Sequence, residues 1–319
     1  MSTITPVAVP RPAGKDRAGA SKPPRQSGLV IVNYGKSLLV EDAGRNLVRC
    51  VARRNLPQIV TGDLVVWEPV GEQEGVISTI EPRRTVLQRA DGANRTRALA
   101  ANIDQIVIVA APQPALDAFL IDRYLIAAEL AGATPLLVIN KCDLFDPRDA
   151  EGPASCVRGY AAIGYDTLLT SALRDTGIEA LAQALAERTS ILVGQSGVGK
   201  SSLIKRLLPT LDILIGKLSE ASGQGRHTTT TTTLYHLPHG GDLIDSPGVR
   251  DFRLGETAAA DLARGFREFR PYLGRCRFQD CRHLAEPDCA VKEAVSTGTI
   301  DARRLTSYRE LVNRNDAGC

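Results

Sequence analysis

The sequence predicts three unlike modules in series: a small OB-like β-barrel, an α/β domain with a mostly parallel sheet, and a short α-helical module around a Cys/His cluster. Three observations carry that expectation. Five short β-rich runs separated by turns crowd residues 28–97, strand-like and helix-like runs alternate after residue 100, and three cysteines with one histidine gather between positions 276 and 289. The 319 residues are enough for two or three separately cored domains.

Residues 1–27 are rich in Pro, Ala, Gly, Ser, Lys and Arg and offer little to bury, which predicts a disordered basic tail. An RNA-touching arm and a plain unstructured leader both fit that composition. Residues 28–98 follow as the expected barrel, with strands at 29–33, 37–40, 47–51, 63–68 and 75–80 and turns at Gly35, 42–44, 61–63 and 69–75. Five short strands in that span suit a Greek-key barrel of the OB type, an architecture that binds RNA or single strands or serves as a docking surface.

Residues 99–254 form the expected α/β domain. Apolar, β-branched runs at 105–110, 135–139, 167–170 and 191–193 read as strands, and helical spacing marks 119–131, 155–163, 178–188 and 201–208. Such alternation predicts a parallel sheet covered on both faces. In residues 255–319 helical patterns at 258–270, 290–295 and 303–313 surround the cysteine cluster. No internal repeat is present.

Hydrophobic content of 43% and charged content of 24% are ordinary for a soluble protein. No apolar run reaches the length of a membrane span and the N-terminus lacks a signal-peptide core, so a cytosolic location without a membrane partner is the default expectation. A net charge of +3 names no partner. Arginines cluster at Arg53-Arg54, Arg83-Arg84, Arg95, Arg97, Arg275, Arg277 and Arg282. Guanidinium forks suit phosphate, so RNA contact and a solvated mixed-charge surface account for them equally well. Nothing suggests more than a monomer.

The strongest motif is Gly194-Gln195-Ser196-Gly197-Val198-Gly199-Lys200-Ser201, a P-loop that follows an apolar strand and opens a helix continuing into Ser202. Its glycines let backbone N–H groups turn inward around phosphate oxygens at a helix N-terminus. Lys200 is expected to reach the β- and γ-phosphates as a catalytic residue, and Ser201 to ligate Mg²⁺. Asn140-Lys141-Cys142-Asp143 ends another strand and reads as NKxD. A carboxylate there accepts hydrogen bonds from guanine's N–H groups, and adenine offers none at those places. Thr170-Ser171-Ala172 resembles the SA box, whose backbone contacts the base. Asp245-Ser246-Pro247-Gly248 matches DxxG, with Asp245 expected to hold Mg²⁺ through water and Gly248 N–H to sense the γ-phosphate. Between P-loop and DxxG lie His227 and six threonines, Thr228 to Thr233, of which Thr229 and Thr230 are preferred as the switch threonine. Val249 stands where Ras-type enzymes place a water-orienting glutamine, so slow intrinsic hydrolysis is expected. His227 is the nearest replacement, with a surface-loop histidine as the alternative.

The boxes run guanine box, SA box, P-loop, switch, DxxG, which is a circularly permuted order for a GTPase. That order puts DxxG at the C-terminal edge of the nucleotide domain, so the C-terminal segment is expected to read out the nucleotide state. Cys276, Cys281, His283 and Cys289 supply three thiolates and an imidazole, the donor set of a closed structural zinc site. Reduced free cysteines are the alternative.

These motifs together resemble the ribosome small-subunit-dependent GTPase A family over about residues 28–313. The box order, the Gly225-Arg226-His227-Thr228 switch and the Cys-Cys-His-Cys spacing carry the resemblance. It implies a GTPase that binds GTP/GDP, Mg²⁺ and one structural zinc ion, joins the maturing small ribosomal subunit and its rRNA late in assembly, and leaves after hydrolysis. It also implies activation by the small subunit and a hydrolytic role for His227. Cys142 departs from the family's usual aliphatic residue, and the six-threonine run exceeds the usual three. A GTPase switch with a protein partner and an RNA-binding module with a structural nucleotide are the competing readings.

Overall fold

Inward-facing apolar residues on alternate positions close the first five strands into a barrel. In this computed structural model, which describes residues 24–91, 95–145, 153–222, 231–246 and 257–316, these are β1 (Gln26–Asn33), β2 (Leu38–Asp42), β3 (Leu47–Ala52), β4 (Leu64–Gly71) and β5 (Glu74–Ile80). They run in the order β1-β2-β3-β5-β4, and antiparallel pairing of β4 with β1 completes the ring. Val30, Val40, Cys50, Val65, Trp67 and Ile77 fill it. All five expected strands are present, and β1 starts two residues before the anticipated edge of the barrel.

A hairpin of β6 (Val86–Asp91) and β7 (Arg95–Ala101) follows as a separate two-stranded sheet. No strand was expected there, because the run carries few large apolar residues and Leu87 is its main buried anchor.

The α/β domain contains β8 (Gln105–Ala110), α1 (Ala118–Ala131), β9 (Thr134–Ile139), α2 (Pro153–Ala162), β10 (Asp166–Leu169), α3 (Ile178–Leu185), β11 (Thr189–Val193), α4 (Lys200–Leu207), α5 (Leu211–Ser222), β12 (Thr233–His236) and β13 (Asp242–Asp245). Its strand order is β10-β9-β8-β11-β13-β12, parallel throughout except for the antiparallel β12. Two apolar clusters cover the two faces, one holding Tyr124, Leu137 and Ile191 and the other Val109, Leu192 and Leu203. Helix α5, which follows α4 after only three residues, is not among the expected elements. Helix α3 stops before the expected residue 188, where Glu187 takes a left-handed φ of 59°.

Edge strand β12 also pairs antiparallel with β1 through Val32 and Thr233, so barrel and α/β sheet form one eleven-stranded sheet. At the far end of β12, His236 bridges the two parts. Its Nδ1 lies 2.6 Å from Asp242 and its Nε2 3.0 Å from Glu41 on β2. The hydrogen bond to Asp242 and the charge of Glu41 outweigh burial and raise the His236 pKa above its ordinary value. A raised folded-state value means stability that is fully present below the unfolded value near 6.5 and is lost as pH rises through the folded value. The stability gap between wild type and His236→Ala is therefore expected to be wider at pH 6 than at pH 9. Chemical denaturation at both values measures it.

The C-terminal part comprises α6 (Ala259–Gly265), a 3₁₀ turn (Arg267–Tyr272), α7 (Ala290–Ser296) and α8 (Ala302–Asp316). The single helix expected over 258–270 is thus two elements. Phe266 leaves helical geometry so that it and Phe269, stacked 4.7 Å apart, both turn inward against Tyr308, and Pro271 lies within the 3₁₀ turn. This module docks on α1 through ion pairs. Fully buried Arg304 reaches Asp122 at 2.6 Å and Glu268 at 2.5 Å, Arg303 reaches Asp122 at 2.8 Å, and Tyr160 donates to Asp122. One helical stretch further along α1, Glu129 accepts from Arg267 and Arg270.

Candidate nucleotide site and metal centre

The P-loop connects β11 to α4 and needs glycine at its narrow points. Gly194 and Gly199 have φ of 142° and 98°, and a Cβ there would come within 2.1 Å of the Val109 carbonyl oxygen and 2.2 Å of Asn140 Nδ2. Gly194 and Val198 are buried, while Gln195, Ser196, Gly197, Ser201 and Ser202 face solvent. No side chain caps the N-terminus of α4, so its first N–H groups and dipole are available to an anion. Lys200 lies across the loop, with Nζ on the carbonyl oxygens of Gly194 (2.6 Å) and Gln195 (2.8 Å).

The guanine box is a brace as well as a candidate recognition element. Asn140, 1% exposed at the end of β9, donates to the Val198 carbonyl at 2.9 Å and accepts from the Ala172 N–H at 3.2 Å. One amide thereby ties three loops together. Lys141, with a left-handed φ of 58°, bonds the carbonyls of Gln113 (2.8 Å) and Gly197 (2.7 Å). The Cys142 N–H reaches the Thr170 carbonyl, and burial followed by the Asp143 charge pushes its thiol pKa up. Buried Ser171 donates to Asp143 at 2.5 Å and accepts from the Arg174 N–H, which holds that carboxylate at the mouth of the site. Arg206 on α4 secures the same loop through the Ala172 carbonyl at 2.9 Å, a contact that no motif signals.

Asp245 ends β13 beside the P-loop strand β11. Burial raises its pKa and the Lys200 ammonium opposes that rise, so a cation brought next to it would favour the charged form. The structure thus brings together the P-loop, the guanine box, Ser171, Ala172 and Asp245 at the C-terminal ends of the parallel strands, where open α/β sheets bind ligands. His227, Thr229, Thr230, Gly248 and Val249 lie outside the described residues.

Cys276, Cys281, His283 and Cys289 converge with all donor atoms within 4.8 Å of one another. The sulfurs of Cys276, Cys281 and Cys289 lie 3.5, 3.6 and 3.3 Å from His283 Nδ1, and those of Cys276 and Cys289 are 3.9 Å apart. A tetrahedron with Zn–S near 2.3 Å and Zn–N near 2.1 Å has edges of about 3.6–3.8 Å, and these four separations lie close to that range. Burial lowers the His283 pKa, which keeps the imidazole neutral as a ligand must be. Burial, the neighbouring sulfurs reinforcing it, pushes the Cys281 thiol up to about 12, so thiolates crowded here need a cation. Around the cluster, Tyr308 and Arg309 hold the carbonyls of Arg282 and Leu284, and Glu286 accepts from their N–H groups.

Residues 80–255 match the family model of the RsgA GTPases. The chain is 50% identical over 296 residues to the small ribosomal subunit biogenesis GTPase RsgA of Chromohalobacter salexigens, covering 91% of this chain and 86% of that protein. Its counterpart of the same name in Pseudomonas aeruginosa PAO1 is 48% identical over 300 residues, covering 94% and 88%. Among solved structures, YjeQ from Thermotoga maritima superposes with a TM-score of 0.76 at 31% identity, over 91% of this chain and 98% of that one. The circularly permuted GTPase YloQ gives 0.73 at 28% identity, over 95% and 98%.

Proposed function

The chain belongs to the RsgA GTPase family, and on that premise we propose that it binds the small ribosomal subunit through its rRNA, assists late maturation of that particle and is released after GTP hydrolysis. The chain is a GTP hydrolase by family, and the names of its relatives support the choice of partner. The observation that carries the reading is the convergence of P-loop, guanine box and Ser171-Ala172 loop on one mouth, with Asp143 held by Ser171.

In this reading Asp143 selects guanine, the Ala172 backbone lines the base, Asn140 and Lys141 fix the loops, and Lys200 neutralises charge on the β- and γ-phosphates. Ser201 directly and Asp245 through water would hold Mg²⁺, which would supply positive charge to the phosphates. Thr229 or Thr230 and Gly248 sense the γ-phosphate, and His227 orients the attacking water in place of the glutamine that Val249 replaces. Cys276, Cys281, His283 and Cys289 hold one structural zinc ion. With every ligand position protein-derived, a metal held there would be structural and would leave no open position for water. The barrel at 28–98 and the metal module at 255–319 flank the nucleotide domain at 99–254 and supply the contacts to the particle. A monomer working in the cytoplasm suits this task, and no helix among the described residues is long and apolar enough to cross a membrane.

Steady-state GTP hydrolysis with and without purified small ribosomal subunits tests the proposal, with Lys200→Ala as the blank. Hydrolysis is expected to rise at least about tenfold with small subunits, to stay flat with large subunits, and to be absent in the blank. Intact GTP turnover that ignores small subunits would move the partner elsewhere.

A further inference from the structure

The barrel reaches the nucleotide domain at a point where both switch segments begin. Thr61, 1% exposed in the turn before β4, donates its hydroxyl to the carbonyl of Thr232 at 2.9 Å. The Thr232 hydroxyl in turn lies 2.9 Å from the hydroxyl of Ser246. In the β12–β13 ladder Thr233 pairs with Asp245, so Thr232 and Ser246 are the first residues beyond the paired register on each strand. Past this tie the chain leads within two residues to Thr230 on one side and Gly248 on the other.

Thr61 itself is fixed from three directions. Its carbonyl accepts from the Ala101 N–H, the next N–H, of Gly62, bonds Val30, and Val30 N–H bonds Asp63. The Asn102 side chain also holds the Gly62 carbonyl. The turn is therefore wedged between β1 and the entry to the α/β domain, a fixed reference against which Thr232 is held.

We propose that Thr61 is a positioning residue for triphosphate recognition: its hydroxyl anchors the root of both switch segments to the barrel, so that the seating of the barrel is part of the response to the γ-phosphate. The proposal rests on the nucleotide-site reading above, in which Thr229 or Thr230 and Gly248 sense the γ-phosphate. P-loop contacts to the other phosphates do not pass through the tie. Loosening it therefore weakens triphosphate binding and leaves diphosphate binding in place. One neutral hydrogen bond contributes net about 1 kcal/mol, which corresponds to roughly fivefold in affinity.

The test uses the full chain with Thr61→Val, which removes the hydroxyl at nearly constant shape, and Thr61→Ser, which keeps it. Affinities for GDP and for a non-hydrolysable GTP analogue are measured by titration. Thr61→Val is expected to weaken the analogue about three- to tenfold while GDP stays within about twofold, and Thr61→Ser to keep the wild-type ratio. An unchanged ratio in Thr61→Val, equal losses for both nucleotides, or a Thr61→Ser variant that behaves like Thr61→Val would each overturn the proposal. Wild-type protein that binds neither nucleotide would instead sink the site reading on which it stands.

Discussion

Stripping the proposed zinc ion from the chain is expected to unfold residues 257–316 while the α/β domain keeps its structure. The C-terminal module is small, and its apolar cluster includes Cys289 itself along with the partly buried Cys276 and Cys281. Those ligands occupy the place that larger apolar residues would take in a self-sufficient core. Structural zinc in such modules contributes on the order of 10 kcal/mol of folding free energy, more than a typical whole domain has to spare. Metal analysis is expected to find one zinc per chain. After treatment with a strong chelator, limited proteolysis is expected to cut within 257–316, and zinc but not magnesium to restore protection. Cys289→Ala is expected to mimic chelation. A chelated protein as resistant as the untreated one would show that the cluster is a set of reduced thiols.

Replacing Arg304 with alanine is expected to cost about 3–5 kcal/mol of stability, the range for removing one partner of a buried ion pair. Arg304 and Asp122 are both fully buried. Without Arg304, Asp122 keeps Arg303 and the Tyr160 hydroxyl but loses its buried guanidinium, and Glu268 loses its partner too. The guanidinium also packs 4.5 Å from the Phe266 ring centre, so truncation removes cation–π contact as well as charge. Equilibrium denaturation of the full chain measures the loss. The double variant Asp122→Leu with Arg304→Met is expected to recover only part of it, because it removes the orphaned Asp122 charge but leaves Glu268 without Arg304 and Arg303 without Asp122. A single variant as stable as wild type would mean that the seam is held by the aromatic cluster alone.

This seam bears on how nucleotide state travels through the molecule. The permuted order suggested that the segment after DxxG carries the signal into the C-terminal module. That module is fastened to α1 at both Asp122 and Glu129. The barrel, by contrast, is joined to β12 by backbone pairing and by Thr61 and His236.

Local signals carried much of the architecture. Short β-rich runs and regularly spaced turns marked all five barrel strands, and the strand–glycine loop–helix pattern located the P-loop within a residue of α4. The β6–β7 hairpin escaped because it carries few large apolar residues, and α5 because it follows α4 after only three residues. The expected helix at 258–270 failed for a different reason. Helical spacing of Phe266 and Phe269 was real, but bringing both rings onto Tyr308 required the backbone to break at Phe266.

The sequence by itself carried the motif pattern: the P-loop spacing, the NKxD and DxxG boxes in permuted order and the Cys-Cys-His-Cys spacing are written in residue types at short range, where local geometry suffices. Only the tertiary structure decided that Asn140 and Lys141 serve as braces, that Arg206 secures the Ala172 loop, that α1 carries the C-terminal module, and that the barrel shares a sheet with β12. Those are pairings between residues tens to hundreds of positions apart. They depend on which surfaces meet once each module has buried its own core, and no spacing along the chain encodes that.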